Sequence, residues 1–100
     1  MKQELQDQLF SNYPKLFVRR HLPETESLMC HGIQCPDEWY DLIDTLCSVI
    51  TKQAEKREFI CEATQVKTKF GCLRFYVTYG DQYVKGAIQL AEFLSLKIKK

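Results

Sequence analysis

Three stretches of the chain repeat their apolar side chains every three or four positions, and one stretch between them alternates. The clearest repeat is Trp39, Leu42, Ile43, Leu46, Cys47 and Ile50, the core-facing stripe of an amphipathic helix. Pro36 suits a first helical turn, where no N–H is needed, and Asp37 and Glu38 follow at the positive end of the helix dipole. A helix from Pro36 to about Lys56 is predicted, with Trp39 and Cys47 in the core. Earlier, Leu5, Leu9 and Phe10 predict a short helix that stops before Pro14. Near the C-terminus Asp81 caps a predicted helix whose apolar face is Val84, Ala87, Ile88, Ala91, Leu94 and Ile98. Lys97, Lys99 and Lys100 fall at its negative end. Gly86 inside this helix costs about 1 kcal/mol relative to alanine, so close packing against a neighbouring element is expected there.

Between the last two helices the period changes to two. FICEATQVKTKF and LRFYVTY are rich in β-branched and aromatic residues and are separated by Gly71, which predicts an antiparallel hairpin. Leu73, Phe75, Val77 and Tyr79 alternate with Arg74, Tyr76 and Thr78, so one face is core and the other wet. Residues 14 to 35 show no sustained period. A connection of that length in a small domain is either functional or conceals an element.

At 100 residues, 45% hydrophobic and 27% charged, the chain supports one domain, residues 1–100, with a modest core. That size favours a binding module over an enzyme with a deep pocket. Apolar runs such as LCSVI and FLSL are far too short to cross a bilayer, and MKQELQDQLF lacks the apolar core of a signal peptide. A cytoplasmic protein with no membrane contact is expected. The five cysteines, an odd number set unevenly within apolar patterns, fit buried thiols in a reducing compartment better than a disulfide framework. The formal charge of +1 hides a gradient: residues 1–50 carry four basic and eight acidic side chains, and residues 51–100 carry ten and five. Such asymmetry permits a directed interaction or self-association, including a homodimer, without naming the partner.

The segment ATQVKTKFGCLRFYVTYGDQYVKGAIQLAE, with GIQCPDEWYDLIDTLC upstream, resembles a family of small, mostly uncharacterised phage and prophage proteins. Its members pair a WYDLID helix with a TQVKxKFGxLRFY segment. The resemblance spans most of the chain. Two departures stand out. Relatives commonly have a Gly-Asp-Gly-Trp type entry to the helix where this chain has Cys-Pro-Asp-Glu-Trp, and many continue into a Cys- and His-containing tail that looks zinc-binding. No such tail follows Lys100 in this sequence, so a function resting on it is not expected here. The resemblance implies a viral accessory protein acting inside a bacterial host cell, with no activity to carry over.

Three constellations merit a chemical reading. Asp37, Asp41 and Asp44, spaced i, i+4 and i+7, would share one helical face. They form either a solvated strip, slightly costly through like-charge repulsion, or an acidic surface that meets a basic partner, such as one built to hold nucleic acid. No His or Glu stands at ligand spacing on that face, so neither metal nor acid–base chemistry is expected. His21, Cys30, His31 and Cys35 match no common zinc spacing, and no thiol–imidazole catalytic pair is expected from them. Lys67, Lys69, Arg74 and Tyr76 flank the hairpin turn. Cations interleaved with an exposed ring on a sheet resemble a single-strand nucleic-acid platform, and lysines also guard sheet edges against aggregation.

The expectation is a single α+β domain, a small antiparallel sheet against two or three helices, in the order helix, irregular segment, helix, strand, strand, helix. The expected function is noncatalytic and without a cofactor. A phage-encoded protein would bind and occlude a host protein or ribonucleoprotein complex, as an inhibitor of a defence system such as CRISPR interference. Asp37, Asp41, Asp44, Lys67, Lys69, Arg74 and Tyr76 are its candidate contacts. The alternative is a nucleic-acid or nucleotide-binding module that uses the hairpin face.

Overall fold

The computed structural model describes residues 1–98. Three α-helices, α1 (Gln3–Asn12), α2 (Tyr40–Arg57) and α3 (Gln82–Ser95), accompany three strands, β1 (Ile33–Gln34), β2 (Ala63–Lys69) and β3 (Cys72–Val77). The fold is α+β, and all three helices lie where apolar spacing predicts them. α2 begins slightly later than expected. Pro36 has extended backbone, and Asp37–Trp39 form a 3₁₀ turn that leads into the helix. Asp37 therefore lies off the helical face that Asp41 and Asp44 share. The expected roles of Lys99 and Lys100 fall outside the described residues.

The segment before α2 does conceal an element. It folds into two 3₁₀ turns, Val18–His21 and Leu28–His31, and then β1. β1 pairs parallel with β2, Ile33 opposite Val66, and β2 pairs antiparallel with β3, giving the order β1-β2-β3. Parallel neighbours need a crossover connection, and α2 supplies it. The turn before β1 needs a glycine: Gly32 has φ of 74°, and a Cβ there would collide with Oε1 of Gln6.

Register assigns the two faces of the sheet. Val66 opposes Phe75 and Thr68 opposes Leu73, while Lys67 opposes Arg74 and Gln65 opposes Tyr76. Val66, Leu73 and Phe75 are buried, in one cluster with Ile33, Trp39, Ile43 and Ile50. The strand ends at Val77, so Tyr79 leaves the alternation and is exposed, its ring against Phe59. Gly86 also departs from expectation. Among the described residues no neighbouring element comes within 4 Å of the position a Cβ would take, so the expected close packing is not seen.

A three-stranded sheet has two edges, and side chains close both. On β3 the N–H groups that point away from β2 are those of Leu73 and Phe75. The first donates to Oγ of Ser95 at 2.9 Å and the second to Oε2 of Glu92 at 3.1 Å. α3 thus lies along this edge as a row of acceptors. On β1 the Ile33 N–H donates to Oε1 of Gln6 at 2.9 Å, and the Gln6 amide nitrogen donates to the Met1 carbonyl at 2.6 Å. α1 closes this second edge.

Ser95 is fully buried, so Ser95→Ala leaves the Leu73 N–H without its acceptor. Loss of about 1–3 kcal/mol is expected, read as a lower midpoint in urea with an unchanged slope. An unchanged midpoint would show that the serine does not hold the edge.

Candidate nucleic-acid interface

Lys69 and Cys72 close the hairpin around a two-residue turn, Phe70-Gly71, in which both residues have positive φ, 54° and 76°. That combination is the type I′ geometry whose twist matches that of the flanking strands, and its first position ordinarily takes Asn, Asp or Gly. A bulky residue held in the left-handed region costs roughly 1–2 kcal/mol. Phe70 nevertheless occupies it and is 91% exposed, the most exposed of the large apolar side chains described. The Lys69 ammonium lies 5.8 Å from its ring centroid.

Behind this tip the register gathers a basic, aromatic face. Lys67 and Arg74 stand directly opposite one another on the non-core side of the hairpin, with Tyr76 beyond Arg74 and 42% exposed. Like charges directly opposite on a sheet are unfavourable. Arg74 is partly neutralised by Glu92, its guanidinium 3.7 Å from the carboxylate. Lys67 has no acid within 4 Å among the described residues. Lys67, Lys69, Arg74 and Tyr76 therefore do lie together, and Phe70 joins them. Sequence reasoning placed Phe70 in the strand. The usable signal was the two-residue spacing up to Gly71, which makes the preceding residue a turn position.

The three aspartates do not form a common surface. Asp37 accepts the Lys2 backbone N–H at 2.8 Å, ahead of the first turn of α1. Asp44 is half-buried and accepts the Tyr13 hydroxyl at 2.8 Å. Burial first, and this carboxylate second, raise the Tyr13 phenol well above its ordinary value. Asp41 is exposed and has no hydrogen-bond or ion-pair partner among the described residues. The acidic strip is thus divided between two tethers and one surface charge.

The residues considered for zinc are also dispersed in role. Cys35 is buried, Cys30 exposed, and the His31 ring lies 3.7 Å from Glu24. No group of three or more His, Cys, Asp or Glu side chains is arranged to hold a metal among the described residues. A separate cleft of about 520 Å³ lies between the end of α2 and residues 58–62, lined by Leu16, Val18, Ile50, Phe59 and Ile60 with Glu55 and Glu58. Cys61 lines it too, but burial pushes this thiol up to about 11, which keeps it protonated and unreactive near neutral pH. No helix among the described residues is long and apolar enough to cross a membrane. No family model, curated protein or solved structure matches the chain.

Burial likewise raises Cys35, to about 11, and lifts Cys47 well above 9.0. These thiols and Tyr13 hold their protons to higher pH in the folded chain than in the unfolded one. Their stabilisation is complete below the unfolded values and is lost as pH rises through the folded ones. The melting temperature is therefore expected to stay level up to about pH 8.5 and to fall above about pH 9. A level profile through pH 11 would contradict this burial. Asp44→Ala should lower stability by about 1–2 kcal/mol, and Asp41→Ala by less than about 0.5. Equal effects on thermal denaturation would contradict the separation of roles.

Proposed function

We propose that this protein is a noncatalytic binding module that occludes a nucleic-acid-containing host assembly, with the hairpin face in contact with single-stranded nucleic acid. The observation that carries this reading is the grouping of Lys67, Lys69 and Arg74 with the exposed rings of Phe70 and Tyr76 on one strand pair. The pattern suits a flexible polyanion whose bases offer flat faces. Phosphates meet the cations, and unstacked bases lie on the rings at roughly 1–3 kcal/mol each. The opposed Lys67 and Arg74 are a cost in the free protein that an anion would relieve. Strain held at Phe70 belongs to the same argument, since unfavourable backbone tends to collect where a site requires a particular side chain.

The wider setting rests on the resemblance to phage proteins. On that reading the module is phage-encoded and acts in the bacterial cytoplasm. It blocks a ribonucleoprotein of host defence, such as a CRISPR effector, by covering the surface on which nucleic acid is held. Occlusion requires no reacting group. The acidic surface contributes little to this reading, because Asp37 and Asp44 are engaged within the chain.

Fluorescence anisotropy with a labelled single-stranded oligonucleotide tests the contact. Wild-type protein should bind, with affinity falling as salt rises on a slope set by about three phosphate contacts. Phe70→Ser with Tyr76→Ala should weaken binding by at least about tenfold at constant salt slope, and Lys67→Ala should make the slope shallower by about one unit. Absence of binding at low salt, or a salt slope unmoved by Lys67→Ala, would sink the reading.

A further inference from the structure

A shallow groove between α2 and α3 holds about 120 Å³, and no charged side chain lines it. The cleft at the end of α2 differs in both respects. It holds about 520 Å³, within the roughly 300–1,000 Å³ of small-molecule sites. Its apolar walls come from three separate segments: Leu16 and Val18, then Ile50 and Ala54 of α2, then Phe59 and Ile60 on the way to β2. The Phe59 ring packs at 77° to that of Tyr79, with centroids 5.3 Å apart, so this wall is set before anything binds. Ile60 and Val18 are 77% and 44% exposed and offer a ligand apolar surface that the fold itself leaves in water.

The charged groups at the cleft are Lys15, Glu55, Glu58 and Glu62. Glu62 is already paired, its carboxylate 2.9 Å from Arg19. Glu55 and Glu58 are exposed and have no cation within 4 Å among the described residues. Lys52, Lys56 and Arg57 follow on the same helix but do not line the cleft. Lys15 is then the one lining cation against two unpaired carboxylates. The backbone adds to the same sign. α2 ends here, with Glu58 as its left-handed cap at φ of 56°, its N–H turned back to the Ala54 and Glu55 carbonyls. A helix C-terminus carries partial negative charge and favours a cation beside it.

We propose that this cleft binds a small amphiphilic cation, an apolar body seated between Val18, Ile50, Phe59 and Ile60 with its ammonium at Glu55 and Glu58. Shape and charge each select part of that ligand. The apolar walls require a hydrophobic body, and the volume suits one compact molecule. Two free carboxylates beside a helix C-terminus require positive charge and repel phosphate or an acidic peptide. The site is separate from the basic hairpin. β2 begins just after the cleft, and its seven residues set the hairpin turn roughly 20 Å away. The inference therefore stands independently of the proposed function.

Amide chemical-shift titration with three matched compounds, phenylbutylamine, phenylbutanol and phenylbutanoate, tests the proposal at neutral pH. The amine should give saturable shifts at Val18, Ala54, Glu55 and Phe59–Cys61, with millimolar affinity as befits about eleven heavy atoms. It should bind at least about threefold more tightly than the alcohol, and the carboxylate should bind least. Glu55→Gln with Glu58→Gln should abolish the preference for the amine and leave alcohol binding unchanged. Ile60→Ser should weaken amine and alcohol alike by about threefold, with little change in melting temperature because Ile60 is largely exposed. Equal binding of amine and alcohol overturns the proposal, as does a preference that survives loss of both carboxylates. Absence of saturable shifts in the cleft with every compound overturns it too. Cleft shifts that grow with protein concentration alone would assign the cleft to a second copy of the chain and overturn it likewise.

Discussion

An edge strand presents every second amide to whatever lies beside it, and in a sheet of three strands two of the three are edges. This chain meets that constraint with side chains. Ser95 and Glu92 accept from Leu73 and Phe75 on one side, and Gln6 accepts from Ile33 on the other. The terminal helices are thereby placed along the edges of the sheet, where they close the ladder that strands alone would leave open. Much of the remaining arrangement follows from that placement. The groove between α2 and α3 lies where it does because α3 is held to β3, and the N-terminus meets β1 because Gln6 anchors it there.

Closing the edges also separates the surfaces. The core side of the hairpin is buried with Trp39 and the α2 stripe, while Lys67, Arg74 and Tyr76 remain on the opposite side. Glu92 serves both functions, since it accepts the Phe75 amide and pairs with Arg74. The guanidinium is thus oriented from the edge and keeps part of its surface exposed. A rigid, cation-bearing platform ending in the solvent-exposed Phe70 is the result. Stability and the proposed contact meet in the same few side chains of β3 and α3.

Much of this was legible in the sequence, and the exceptions have physical causes. The stripe from Trp39 to Ile50 announces α2 because each of its positions is driven by burial. The alternation from Leu73 to Val77 announces β3 for the same reason. β1 has two residues and no period of its own; it exists because β2 offers a ladder and Gln6 closes its other side. Phe70 looked like strand because phenylalanine favours strands, whereas the two-residue turn overrode that preference. Asp44 looked solvated on its helical face, but Tyr13, 31 residues away, reaches it. Gly86 suggested close packing that the structure does not show, because no neighbouring element among the described residues comes within 4 Å of its Cβ position. Local patterns located the elements, and long-range hydrogen bonds decided the rest.

The central functional claim is that the hairpin face is the contact surface, and amide chemical-shift mapping during titration with a single-stranded oligonucleotide tests it most directly. The account requires saturable shifts concentrated at Gln65–Lys69, Phe70, Gly71 and Arg74–Tyr76, with α1 and the cleft beside Phe59 unmoved. Shifts centred on α2 and α3, or spread evenly over the lysines, would contradict it.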